Sequence, residues 1–302
     1  MAAAPQDAAS DTVTATIDNG WIDVAVTIPR TPTGPRPVVI SPIVADDELL
    51  EHGFAVAHFH TNWEVLRGFA APATKAPPAG AEAAPPAKPE TQVGSWLLTS
   101  PRPGIVGRAY FQIISMDANH SLPKVVDYLS TLPQIDMGRI ALTGSSTSGF
   151  AALQGMAGEP RIAVGVVRVA CGDYMRFLRS SSLALDDDPR WLPGGKIVLD
   201  PDYAVEIAAL EPIRHADRYP PRPLLLLAGE KDRAIPFACV ESTVQSFQAA
   251  YDAAGAGDRF RFVAFPEAGH NLDASANAEI LPWLERWLES DLASTHDSLA
   301  VQ

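Results

Sequence analysis

The stretch Arg139-Ile-Ala-Leu-Thr-Gly144-Ser-Ser146-Thr-Ser-Gly149-Phe-Ala-Ala-Leu153 decides how the chain is read. An apolar run of strand character enters a Gly/Ser turn, and a helix-forming run leaves it at once. The pattern predicts a strand, a sharp turn and a helix with a serine at the apex. A hydroxyl held there stands clear of the sheet at a helix N-terminus, where backbone N–H groups favour an anion. Ser145, Ser146 and Ser148 share the turn. Gly144, two places before Ser146, permits the close backbone approach such a turn needs, so spacing selects Ser146. Ser145 and Ser148 are expected to serve the turn or the helix cap.

Downstream, Gly149 to Ala157 continues as helix and Ile162 to Ala170 reads as a strand. Leu224 to Leu227, bounded by Pro223 and Gly229, has the unbroken apolar character of a central parallel strand. A helix from about Val240 to Ala254 and a strand from Phe260 to Phe265 follow. Ile280, Leu281, Leu284, Trp287 and Leu288 then share one face of a final helix, with Pro282 tolerated near its start. Residues 172–222 break this alternation and are expected to form an inserted cap with a helix near Tyr203 to Leu210. The run Asp186-Asp187-Asp188 lacks the Gly and Glu of a calcium loop and reads as a solvated turn, so no metal is expected.

Upstream, Thr12 to Ile17 and Trp21 to Ile28 alternate around Asp18-Asn19-Gly20, which predicts a β-hairpin. Val38 to Ile40 is a short buried strand, Asp46 to His52 a short helix, and Phe54 to Phe59 the next strand. Between Ala70 and Glu90 stand nine Ala and six Pro, too few large apolar groups to pack a core. The loop 61–110 is therefore expected to be mobile, either a lid or an uninvolved insertion. Tyr110 to Leu132 reads as helix interrupted near Pro123. Strands alternating with helices predict an α/β fold, a doubly wound and mainly parallel sheet with an N-terminal β-hairpin and a cap insertion. One domain over residues 12–290 is expected, with tails at 1–11 and 291–302.

Composition bounds the partners. The 302 residues carry a formal charge of -13 and are 47% hydrophobic. That charge argues against nucleic acid and anionic membrane as partners, since both call for an excess of Lys and Arg. No apolar run approaches the roughly 18 residues of a transmembrane helix. The start lacks a basic segment followed by an apolar core, which predicts a cytoplasmic protein, or a secreted one whose signal has been removed. Cys171 and Cys239 belong to no Cys-x-x-Cys or Cys/His cluster and are expected to be two buried thiols, with a disulfide or a metal role as the minority alternative.

Serine needs a base and an acid that orients it, and on a doubly wound sheet all three sit at the carboxyl ends of strands. Beyond the Leu224 strand comes Ala-Gly-Glu-Lys-Asp232-Arg-Ala-Ile-Pro236, and beyond the Phe260 strand comes Pro-Glu-Ala-Gly-His270. Asp232 is preferred to Glu230 by its spacing to Ile235-Pro236. His58, His60, His120 and His215 fall in a strand, a loop or the cap instead.

These three elements, in the order Ser146, Asp232, His270, resemble the α/β-hydrolase superfamily, and within it the dienelactone-hydrolase and prolyl-oligopeptidase-like serine esterases. The likeness runs from about Thr12 to Glu289 and is weakest in 61–110 and 172–222. It implies a serine hydrolase that cleaves a small-molecule carboxylic ester through an acyl-enzyme and needs no cofactor. Peptidase, acyltransferase and non-catalytic binding protein remain open alternatives on the same scaffold. The oxyanion donors implied are the backbone N–H groups of Thr147 and Ile43, and His60 and Trp63 follow the fourth strand where a pocket could be lined. The chain departs from the family twice. Ser148 stands where the Gly-x-Ser-x-Gly pattern has its last glycine, and Pro42, which has no N–H, stands in the oxyanion loop Ser41-Pro42-Ile43.

Overall fold

A computed structural model of the chain describes residues 10–31, 33–62, 105–185, 197–199 and 201–289. Its first strands, β1 (Ser10–Ile17) and β2 (Ile22–Pro29), form the hairpin. Asp18, Asn19 and Gly20 between them all have positive φ, a conformation these residue types tolerate better than most. The strands β3 (Arg36–Ile40) and β4 (Ala55–Thr61) flank helix α1 (Asp46–Glu51). Helices α2 (Ile105–Met116) and α3 (Leu122–Leu129) precede β5 (Ile135–Ser145), which leads into α4 (Thr147–Gly158).

After β6 (Val164–Arg168) come α5 (Tyr174–Ser180), α6 (Ser182–Leu185) and α7 (Pro201–Ala209). The strand β7 (Leu224–Gly229) is followed by α8 (Phe237–Ala253) and β8 (Phe260–Phe265). Short helix α9 (Ala274–Asn277) and helix α10 (Ile280–Leu288) end the described chain. The sheet order is β1-β2-β4-β3-β5-β6-β7-β8. Strands β4 through β8 pair in parallel and only β1 and β2 run against their neighbours.

The alternation of side chains along buried strands splits the core into two layers. Val38, Ile40, Leu224 and Leu226 face a layer with Ile114, Val125, Phe150 and Phe247, whereas Val39, Leu225 and Leu227 face one with Leu49, Ile280, Trp283 and Leu284. Both faces of β7 are thus covered, which is why its leucines run unbroken instead of alternating with polar residues. Pro282 sits in the first turn of α10, where its missing N–H has no intrahelical acceptor to lose.

The helix before β5 is interrupted near Pro123, by a π-helical turn at Asp117–Ser121, and Pro123 itself occupies the first turn of α3. One expectation is corrected. The cysteines are buried but not free: Cys171, just past β6, is disulfide-bonded to Cys239 at the start of α8, with Cα atoms 5.8 Å apart. Their pairing depends on where β6 and α8 end in space, which cysteine spacing does not encode. The Ala/Pro-rich stretch 70–90, Trp63 and the Asp186–Asp188 run lie outside the described residues. Among the described residues, no helix is long and apolar enough to cross a membrane.

The disulfide closes a long loop of chain that contains the β6–β7 connection and β7 itself, so removing it frees much entropy in the unfolded state. Replacing both cysteines by serine is expected to lower the unfolding free energy by about 2–4 kcal/mol. Urea titration with and without reductant checks this, and an unchanged midpoint would mean that the thiols are not paired in solution.

Candidate active site

Between the last residue of β5 and the first of α4 stands one residue, Ser146, with φ 57° and ψ -122°. A residue with a side chain held in so sparsely populated a region costs about 1–3 kcal/mol. Close packing on both sides keeps it there. A Cβ on Gly144 would overlap the Ser148 carbonyl oxygen, and one on Gly149 would lie 2.8 Å from the Ala170 Cβ. The Ser146 N–H donates to the Arg168 carbonyl at 3.0 Å, and the Ser146 carbonyl accepts from Phe150 N–H at 3.0 Å. The glycine that lets the helix approach β6 is therefore Gly149, one place later than the family pattern has it. Ser148 ties the turn instead, accepting from the Ser145 N–H and donating to the Ser145 carbonyl, both at 2.9 Å.

The loops after β7 and β8 are joined through main chain. Glu230 N–H donates to Phe265 at 3.1 Å and Lys231 N–H to Ala268 at 2.9 Å. Gly229 makes this possible, since a Cβ there would overlap the carbonyl oxygens of Ala268 and Gly269. Asp232 is buried behind this junction. One of its carboxylate oxygens accepts from Ala234 N–H at 2.8 Å and Ile235 N–H at 2.9 Å, and the other faces His270 Nδ1 at 2.8 Å. His270 Nε2 lies 3.0 Å from Ser146 Oγ. A carboxylate can only accept, so Nδ1 carries the proton and Nε2 presents its lone pair to the hydroxyl. Glu230, the rival acid, is exposed.

As the first residue of α4, Thr147 has an N–H without an intrahelical acceptor. On the other side, Ser41 leaves β3 at φ 54°, its carbonyl accepting from Thr143 Oγ1 at 2.6 Å. Pro42 follows, and the Ile43 side chain packs into the α1/α10 layer, which leaves the Ile43 N–H in the turn between β3 and α1. Arg168 was not anticipated from sequence. Its guanidinium donates to Ser145 Oγ at 3.2 Å and Asn277 Oδ1 at 2.9 Å, linking the turn at Ser146 to the helix that follows His270.

Residues 115–291, more than half of the chain and all of it from the serine turn to His270, match the prolyl oligopeptidase family. The chain belongs to that family. A putative esterase of Bacillus subtilis strain 168, YitV, is 24% identical over 162 residues, which make up 51% of this chain and 59% of that protein. The match thus spans little more than half of the relative's length. Among solved structures, TT1662 from Thermus thermophilus superposes with a TM-score of 0.57 at 20% identity, covering 93% of this chain and 99% of that one. An acetyl xylan esterase from Paenibacillus sp. R4 gives 0.57 at 16% identity, covering 94% and 87%. These likenesses establish the α/β-hydrolase fold for this member of the prolyl oligopeptidase family.

His60 lies on the exposed face of β4 opposite Asp23, where it lines a surface groove of about 430 Å³ with His58 and Thr16. Two further residues of the family member were not read from sequence. The Tyr110 hydroxyl is buried beside Thr147, and desolvation holds the phenol well above its ordinary range. Asp117, in the π-helical turn, is partly buried and accepts from Thr61 Oγ1 at 2.7 Å. Burial pushes its carboxyl from 3.8 up to about 6, against smaller opposing effects of the Thr61 hydroxyl and of His60.

A carboxyl raised in the folded state favours its neutral form there, so its contribution to stability is present below the unfolded value and lost as pH rises through about 6. The full difference corresponds to about 3 kcal/mol opposing folding at pH 8. Asp117→Asn is therefore expected to raise the melting temperature at pH 8 and to lose that advantage by pH 4. Scanning calorimetry across this range checks it, and a stabilisation independent of pH would refute the electrostatic account.

Proposed function

We propose that the chain is a serine carboxylesterase in which Ser146 is the nucleophile, His270 the general base and Asp232 the residue that orients it. The observation that carries this reading is the continuous line from Asp232 to His270 Nδ1 at 2.8 Å and from His270 Nε2 to Ser146 Oγ at 3.0 Å. Nε2 takes the hydroxyl proton as Oγ attacks the ester carbonyl, and the negative charge moves to the carbonyl oxygen. The N–H groups of Thr147 and Ile43 are the proposed donors to that oxygen. When the tetrahedral intermediate collapses, the imidazolium returns the proton to the departing alkoxide, and an acyl-enzyme remains on Ser146. Water, deprotonated by the same imidazole, then releases the carboxylic acid. No atom in this sequence requires a cofactor.

Ester cleavage is favoured by the relative named as a putative esterase. The family description favours a second reading, hydrolysis of a peptide or other amide, by the same three residues. An amide leaves only when its nitrogen is protonated, so the two readings separate on matched substrates.

Ser146→Ala is expected to abolish turnover of a p-nitrophenyl ester and labelling by a fluorophosphonate while leaving the circular dichroism spectrum unchanged. Turnover by the wild type is expected to fall in acid, because a protonated Nε2 cannot accept the hydroxyl proton. Faster hydrolysis of an amide than of the ester with the same acyl group would overturn esterase in favour of peptidase. Retained labelling in Ser146→Ala would overturn the nucleophile.

A further inference from the structure

A cavity of about 120 Å³ lies behind the serine turn, on the face of the sheet covered by α2, α3 and α4. A single water needs about 15 Å³ of such space, so the cavity has room for a chain of several heavy atoms. Phe59, Leu122, Leu142 and Ala151 make its wall largely apolar. Ser41 from the β3–α1 turn and Ser148, two residues after Ser146 in α4, are among its lining residues.

The polar groups at its wall are unequally committed. Thr143 Oγ1 donates to the Ser41 carbonyl, and Ser148 Oγ is used in both directions by Ser145. Ser121 and Thr61 form a relay that ends on Asp117 Oδ1, with each oxygen separation 2.7 Å. Asp117 Oδ2 has no hydrogen-bond partner among the described residues. The cavity thus joins an apolar channel to one open acceptor.

Its position relative to His270 decides which half of a substrate it takes. The leaving alkoxide must sit beside His270 Nε2 to receive its proton, and His270 follows β8. Every residue lining the cavity comes from β3, β4 or β5, the turns at their ends, or the helices α3 and α4 with the π-helical turn before α3. In the sheet order, β3 and β4 lie on one side of β5 and β8 on the other.

We infer that this cavity is the acyl-binding pocket and that Asp117 selects short acyl groups carrying a hydrogen-bond donor, either a hydroxyl or an ammonium. The inference rests on the proposed esterase reading of Ser146. The donor meets Asp117 Oδ2, while the aliphatic part of the acyl chain lies against Phe59, Leu122 and Ala151. An acyl chain that displaces water from the cavity without offering a donor leaves this acceptor unpaired, which discriminates more strongly than an apolar pocket that merely loses a methylene.

The test compares kcat/KM at pH 8 for p-nitrophenyl 3-hydroxybutyrate against its isostere 3-methylbutyrate, and for p-nitrophenyl β-alaninate against butyrate. The wild type is expected to prefer the donor-bearing member of at least one pair by about 10- to 100-fold, the span of a hydrogen bond to a charged group. Which pair responds identifies the donor as hydroxyl or ammonium. Asp117→Asn should bring that ratio close to one. Ala151→Leu, which narrows the cavity without touching the acid, should lower the butyrate-to-acetate ratio by more than tenfold. Turnover with no discrimination in either pair, or a preference that survives Asp117→Asn, would overturn the pocket and leave the esterase reading standing. Failure to turn over any ester or to label Ser146 would overturn both.

Discussion

One backbone conformation underlies the rest of the structure. Ser146 changes the chain from strand to helix within a single residue, and the strain this entails is sustained only because Gly144 and Gly149 let main chain approach main chain from both sides. Without that closeness the hydroxyl would sink toward the sheet, and neither His270 nor the cavity behind the turn would have a common reference point. The parallel strands supply the second half of the constraint. By placing β7 and β8 beyond β6 in fixed order, they bring two loops far apart in sequence to the same edge as the turn.

Two of the carboxylates, Asp232 and Asp117, show how differently the withdrawal of charge from water is managed within one molecule. Asp232 meets two backbone N–H groups and the imidazole, so each of its oxygens has a donor. Asp117 has one hydroxyl, and there desolvation outweighs the hydrogen bond. The first arrangement leaves neither carboxylate oxygen without a partner. The second leaves an acceptor whose satisfaction depends on what enters the cavity, which is how a site gains selectivity at some loss of stability.

Much of this was legible in the chain. Leu224 to Leu227 could only be a strand buried on both faces, and the hairpin at Asp18-Asn19-Gly20, the helix with Ile280 and Trp287, and the turn at Ser146 all carry local patterns that survive folding. Asp232 and His270 were legible because each stands at a fixed remove from a recognisable strand end. Other features were not local. A lone Asp117 within a helical stretch looks like a solvated residue until the π-helical turn points it inward. The Cys171–Cys239 bond joins ends of elements whose distance the sequence does not state. Ser148 reads as an intrusion on the family pattern, and only in the folded chain does Gly149 take over the approach to β6 while the serine ties down its own turn. Arg168 is a charged residue within an otherwise apolar strand, and in the structure it bridges the turn and α9.

The junction between the loops after β7 and β8 is made by main-chain atoms of Glu230, Lys231, Phe265 and Ala268, with Gly229 beneath. Such a seam is indifferent to most side chains but acts as a ruler for chain length. Residues such as Lys231 and Glu267, which meet at the surface, can drift without consequence for the alignment of Asp232 and His270. One residue inserted or deleted between Phe265 and His270 would displace the imidazole by the full spacing of an amino acid. Divergence in this part of the molecule is thus open to substitution and closed to insertion.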